Sequence, residues 1–194
     1  MLAETMRKRG GFFVEIGALD GIKYSNTYLL EKEFGWEGIL VEPNPDFHAI
    51  LRKNRSAAIC TDAIYSSRKK VSFLCVQRGS DLSGIAEHAY EDEHANRRQN
   101  SKVIEVNAIT PSDMLRLHGA PNTIDYLSVD TEGSEFEILR AFDFDAYKVN
   151  LISVEHNFTA QEAAIDSLLG ERGFQRVYRR ASQWDAWYKR TVEG

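Results

Sequence analysis

The chain has 194 residues, 43% of them hydrophobic and 27% charged, with a formal net charge of −5. That length and apolar content suffice for one domain with a sizeable core, expected over 1–194, and the acidic balance argues against nucleic acid, leaving Arg97-Arg98 and Arg179-Arg180 as solvated pairs. Apolar runs are short and broken by charge, and Met1 to Arg9 hold no signal-peptide core, so no membrane span and a cytoplasmic location are expected.

In chain order, the first element is a buried strand over 12–16 that stops at Gly17-Ala18-Leu19-Asp20-Gly21 and hands over to a helix predicted over 25–35. Glycine at 17 and 21 permits a sharp turn and close approach of a ligand, and a following helix offers N–H groups to an anion. A second strand over 38–41 ends on Glu42-Pro43. Doubly wound folds place there, roughly 20 residues beyond the loop, the carboxylate that binds the ribose hydroxyls of an adenosine cofactor. The competing reading makes Glu42 the start of a solvated turn into Pro43-Asn44-Pro45. The loop lacks Gly-x-Gly-x-x-Gly, so a pyrophosphate fits poorly and an NAD-dependent oxidoreductase is disfavoured. S-adenosylmethionine suits it better, with Glu15 facing the ammonium and helix N–H groups the carboxylate. The methionine end is thus expected against Glu15, Gly17, Asp20, Gly21 and the Ser25-Asn26 helix start, where either residue also serves as an N-cap.

A helix over 45–53 and a strand over 57–60 follow, and beyond them Asp62 is positioned to accept from an adenine amino group while the Ala63 N–H meets a ring nitrogen. Alternatively Asp62 caps a turn. Cys60 and Cys75 sit in apolar strand contexts without metal-ligand spacing and read as buried thiols. Strands over 71–76 and 103–107 flank a polar interval, 78–102, that is either a binding lid or plain surface. His88 and His94 with Glu87, Glu91 and Glu93 fall at helical spacing, a pattern read as a solvated face in preference to a metal site. A short helix over 111–117, strand 124–129, helix 133–142, strand 149–154, helix 160–170 and a pair over 174–179 and 184–189 complete the chain. This alternation predicts an α/β fold: a mostly parallel, doubly wound sheet with helices on both faces and a closing antiparallel hairpin. Trp184 to Tyr188 read as the inner face of that hairpin rather than an acceptor platform, with Asp185 the exception.

Several ordered blocks together resemble the FkbM family of S-adenosylmethionine-dependent methyltransferases. They are Val14-Glu15-Ile16-Gly17-Ala18-x-Asp20-Gly21, Ser25-Asn26-Thr27, Phe34-Gly35-Trp36-x-Gly38-x-Leu40-Val41-Glu42-Pro43-Asn44, Leu127 to Leu139, and Val154-Glu155-His156-Asn157. The resemblance implies a Rossmann-like class I methyltransferase fold, with an acidic residue near the final hairpin. It also implies O-methylation of a hydroxyl on a sugar or other small molecule, with Glu15, Glu42, Asp62 and Asp130 around the cofactor.

Chemistry in open α/β sheets gathers outside the carboxyl ends of the strands, where Asp130, Glu155 and His156 fall. His156 is a candidate base for the acceptor hydroxyl; alternatively Asp130, Glu155 and Asn157 supply hard oxygen ligands to Mg²⁺. In a third reading Glu132 and Glu135 cap the following helix and residues 155–157 make ordinary loop hydrogen bonds. The expected partners are a small-molecule hydroxyl acceptor (sugar, glycan or secondary metabolite) and, as an open expectation, a second copy of the chain. A non-catalytic module of the same fold is the alternative function.

Overall fold

The computed structural model describes residues 8–76, 82–88, 101–157, 161–180 and 184–191. Strand β1 (Phe12–Ile16) lies between β2 (Glu37–Val41) and β8 (Thr123–Val129), parallel to both. Beyond β2 comes β3 (Ala58–Cys60), and beyond β8 come β9 (Lys148–Glu155), β11 (Asp185–Arg190) and β10 (Phe174–Val177), giving the order β10-β11-β9-β8-β1-β2-β3. Strand β11 runs antiparallel to both neighbours, so the closing hairpin inserts its second strand between β9 and β10. Strand order reverses at β1, and that switch point is where an open α/β sheet leaves a crevice.

The period-two alternation of β1 decides what lies on each face. Val14 and Ile16 join the larger core with Met114 and Leu115 of α3 (Pro111–Leu117), Ile138 and Leu139 of α4 (Glu135–Arg140), and Ile165 and Leu169 of α5 (Gln161–Glu171). Phe13 packs on the opposite face with Leu30 of α1 (Tyr28–Phe34), Leu51 of α2 (Pro45–Asn54) and Trp36. Each of these side chains is at most 3% exposed, and burying one contributes about 1.5–3 kcal/mol.

Helix starts follow their caps. The Asn44 side chain accepts from the Asp46 N–H with Pro45 at the first turn of α2, and Thr110 accepts from Asp113 N–H with Pro111 in the first turn of α3. The first helix begins at Tyr28, three residues later than expected, because the Ser25 hydroxyl takes the Thr27 and Tyr28 N–H groups and Tyr24 is left-handed at φ 59°.

The strands expected over 71–76 and 103–107 do not extend the main sheet. They form β5 (Lys69–Cys75) and β7 (Lys102–Ile109), paired antiparallel in a separate four-stranded sheet, β4-β7-β5-β6, with β4 (Ala63–Ile64) and β6 (Gly84–Ile85). Its buried face, including Phe73, Ile85 and Ala108, forms a third core cluster. Most of the 78–102 interval, with Glu91, Glu93, His94 and Arg97-Arg98, lies outside the described residues. His88 hydrogen-bonds Tyr65 Oη at 3.0 Å and Glu87 lies 3.4 Å from Lys69 Nζ. Both cysteines are free and buried. No helix among the described residues is long and apolar enough to cross a membrane.

Candidate active site

A cavity of about 570 Å³ opens at the carboxyl ends of β1, β2, β8 and β9, and the second sheet closes its other side through Ala63, Ile64, Phe73 and Ile85. Of the sequence-predicted residues, Gly17, Asn26, Glu42, Pro43, Ala63, Asp130, Glu155 and Asn157 line it. Glu15, Asp20, Gly21, Ser25, Asp62 and His156 do not.

The turn after β1 is shaped by the chain itself. Gly17 adopts φ 94°, and a Cβ there would lie 1.8 Å from the Asp130 carbonyl oxygen, so glycine is required by the neighbouring strand end. Gly21, at φ 79°, would bring a Cβ within 2.6 Å of the Arg55 and Leu51 side chains. The expectation that Gly21 clears space for a ligand is therefore corrected: it clears space for the Arg55 and Leu51 side chains, and it does not line the cavity. Asp20 accepts from the Ile22 and Lys23 N–H groups in a local turn. At the start of the helix after this turn, the Asn26 N–H bonds Glu15 and those of Thr27 and Tyr28 bond Ser25, so these three are not offered to an anion.

Glu42 is 2% exposed on the cavity wall. Its Oε2 accepts from the Leu19 N–H at 2.8 Å and its Oε1 from the Asn44 N–H at 2.8 Å, which leaves lone pairs on both oxygens. Burial raises its pKa to about 7 against the opposing pull of those two N–H groups. It does not open a solvated turn.

Glu15 shares the parity of Phe13 and therefore faces the α1–α2 layer. Its oxygens accept from the Ser25 and Thr27 hydroxyls and the Asn26 N–H, and Arg55 Nη1 lies 3.5 Å away. Direct contact with a cofactor ammonium is thus replaced by a role beneath the loop. Burial pushes its carboxyl up while the Thr27 bond and Arg55 pull it down. Ser25 is committed to the same cluster. Asn26 bridges it to the sheet, donating to Ser128 Oγ at 3.1 Å.

Carboxylates gather at the far wall. Asp130, Glu132 and Glu155 offer oxygens within 4.8 Å of one another, and Asp185 pairs in register with Glu155 across β11 and β9. Asp130 and Glu155 are hydrogen-bonded to each other; burial raises both pKa values, that of Glu155 further through the charge of Asp130, while the bond from Glu155 pulls Asp130 down against the charges of Glu135, Asp185 and Glu15. One proton is held between them, with Glu155 as the donor. Glu155 Oε2 is buried without a hydrogen-bond partner among the described residues. Asn157 lines the same region at φ 43°. Glu132 adopts φ 59° and lines the cavity, so it does not cap α4 from outside. Glu135 does hold the turn, accepting from the N–H groups of Thr131 and Gly133 and the Thr131 hydroxyl.

His156 does not face the crevice. It continues the parity of Ile152 and Val154 toward the α5 side, is 5% exposed, and its Nδ1 lies 3.7 Å from Glu162 Oε2 of α5. Trp184 also departs from expectation: it precedes β11, lines the cavity and is 54% exposed, while Trp187 stacks on Tyr126 at 5.9 Å and Tyr188 is buried. Sequence reasoning missed Leu19, Tyr24, Phe73 and Leu82 as lining residues. Only Leu19 and Tyr24 carried a signal, the first as the open position inside the first motif block and the second as the residue just before Ser25-Asn26-Thr27.

Comparison with known proteins follows the same lines. The family profile described as the Methyltransferase FkbM domain matches residues 15–176. Among solved structures, the fold is similar to a methyltransferase FkbM from Methylobacillus flagellatus KT (TM-score 0.57, 11% identity, 93% of this chain), of which this chain spans 43%. It is also similar to a precorrin-6y C5,15-methyltransferase from Geobacter metallireducens GS-15 (TM-score 0.51, 10% identity, 96% of this chain and 82% of that one). No curated protein sequence matches. With the profile covering most of the chain and the class I methyltransferase strand order around the cavity, the chain belongs to the methyltransferase FkbM domain family.

Proposed function

We propose that the chain is an S-adenosylmethionine-dependent methyltransferase that transfers a methyl group to a hydroxyl of a small molecule such as a sugar, glycan or secondary metabolite. The observation that carries this reading is Glu42, buried at the end of β2 beside the switch point, with two backbone N–H groups aiming its carboxylate at the cavity. Its free lone pairs suit the paired hydroxyls of a ribose. Ala63, Pro43 and the apolar wall of the second sheet are assigned to the adenine, and Gly17, Asn26 and Asp130 to the methionine end. Asp62 and Asp20 are assigned no direct contact.

When bound, S-adenosylmethionine supplies an electrophilic methyl group. The protein's task is then to hold the acceptor oxygen in line and take its proton. Asp130, ionised and hydrogen-bonded by protonated Glu155, is the assigned base, replacing His156. No Lys, Arg or His lines the cavity among the described residues, which favours an uncharged or cationic acceptor over an anionic one, and the exposed rings of Tyr24 and Trp184 offer flat surface for it. A second reading puts Mg²⁺ on Asp130, Glu155 and Glu132, with Asn157 beside them. It is favoured by the clustering of oxygens and by the unpartnered Glu155 Oε2. A cytoplasmic location fits the two free thiols.

Calorimetric titration with S-adenosylhomocysteine, with NAD as control, is the test. Micromolar binding that Glu42→Ala abolishes supports the reading, and an acceptor screen with and without Mg²⁺ then separates the proton-transfer and metal mechanisms. Wild-type protein that binds neither compound sinks it in favour of a non-catalytic module.

A further inference from the structure

Arg55, at the C-cap of α2, is the most completely engaged charge among the described residues near the cavity, although it does not line it. Its side chain is 0% exposed. Nε donates to Glu31 Oε2 at 2.7 Å, Nη1 to the Gly21 carbonyl and Ser25 Oγ at 3.0 Å each, and Nη2 to Thr27 Oγ1 at 2.8 Å. The rings of Phe13 and Tyr28 lie 5.5 and 5.8 Å from the guanidinium carbon.

Every bond on the loop side falls on the segment between β1 and α1. That segment presents Leu19, Tyr24 and Asn26 to the cavity from its opposite side. A Cβ on Gly21, already left-handed at φ 79°, would meet the Arg55 and Leu51 side chains at 2.6 Å.

The geometry points to Arg55 as a positioning residue for cofactor binding: by tying Gly21, Ser25 and Thr27 to α2 from behind, it sets the shape of the loop whose front meets the methionine end. This rests on the reading of the cavity as an S-adenosylmethionine site. The role requires arginine, because a planar fork reaches a carbonyl, two hydroxyls and two carboxylates at once, whereas one lysine nitrogen cannot span them. It also explains why Glu15 is acidic without lining the cavity: it is the buried counter-charge beneath the loop.

Arg55→Met alone would leave Glu15 buried and uncompensated, and the protein would be at risk of not folding. The test therefore uses Arg55→Lys and the charge-neutral pair Glu15→Gln/Arg55→Met. For each, S-adenosylhomocysteine affinity is measured by calorimetry, and amide exchange of residues 19–28 is compared with that of β1 and α2 without ligand. Both proteins are expected to keep β1 and α2 protected, to exchange at least tenfold faster at Asn26, Thr27 and Tyr28, and to bind at least tenfold more weakly. Wild-type exchange and affinity in either folded variant, or exchange rising equally everywhere, overturns the proposal. If wild-type protein binds no S-adenosylhomocysteine, the cofactor reading fails, while the ligand-free exchange comparison still decides whether Arg55 shapes the loop.

Discussion

In the proposed cofactor site, Glu42 is asked to do two incompatible things well. Burial favours its neutral form, but accepting two ribose hydroxyls requires the ionised one, and its pKa of about 7 puts the changeover near neutrality. The folded-state value lies above the ordinary glutamate value of 4.5, so the native protein holds this proton more tightly than the unfolded chain does. The associated stability is present below about pH 4.5 and is lost as pH rises through about 7, a change on the order of 3 kcal/mol. Affinity for S-adenosylhomocysteine should run the other way, strengthening between pH 6 and 8. Glu42→Gln is expected to flatten both trends in urea titrations and calorimetry; a binding curve for wild type that is level from pH 6 to 8 would remove Glu42 from the ribose. Glu155 follows the same sign, because burial and Asp130 raise its pKa. Replacing it by Gln keeps a donor toward Asp130 and removes the proton that Glu155 must take up on folding, so unfolding free energy at pH 8 should rise by at least about 1–2 kcal/mol, with little change at pH 5. An unchanged value at pH 8 would mean that Glu155 is not held protonated there.

At the scale of elements, the turn between β1 and α1 depends on contacts between strand ends more than on local flexibility. Gly17 and Gly35 both adopt positive φ, 94° and 65°, yet a Cβ at 17 meets the Asp130 carbonyl while one at 35 meets nothing within 4 Å. Gly35→Ala should therefore cost about 1–2 kcal/mol, the left-handed penalty alone. Gly17→Ala should cost more than about 3 kcal/mol or prevent folding. Urea denaturation of the two variants checks this, and equal losses would show that the β1–β8 junction relaxes freely. The same elements explain what could be read in advance. Strands β1, β2, β8 and β9 are mostly apolar runs, each with a turn or an acidic residue at its carboxyl end, so both their existence and Glu42 were legible. The facing of Glu15 and His156 was legible in principle, from the parity of Phe13 and of Val154, but a reading that took each as a strand-end residue passed over alternation. The second sheet was hidden because β4 and β6 are two residues each and β5 pairs across a gap to β7, contacts that no local pattern marks. Arg55 was invisible for the same reason: it reaches a loop 28 to 34 residues away in sequence.

For the molecule as a whole, the cavity is the seam between two sheets, the smaller having a core cluster of its own while Ile64 of β4 packs into that of the larger. The larger sheet contributes the carboxyl ends of its central strands and the smaller one contributes Phe73, Ile85, Ala63 and Ile64. A ligand spanning that seam binds only when both sheets are formed, so it must stabilise both together. S-adenosylhomocysteine at a hundredfold excess over its dissociation constant should add about 2.7 kcal/mol. For a chain of this size that is a rise in melting temperature of roughly 5 to 10 °C. NAD, disfavoured by a loop without Gly-x-Gly-x-x-Gly, should give none. Exchange protection should increase in β5 and β7 as well as in β1 and β2. Protection confined to β1 and β2 would place the ligand on the larger sheet alone and reassign the apolar wall of the smaller one to the acceptor.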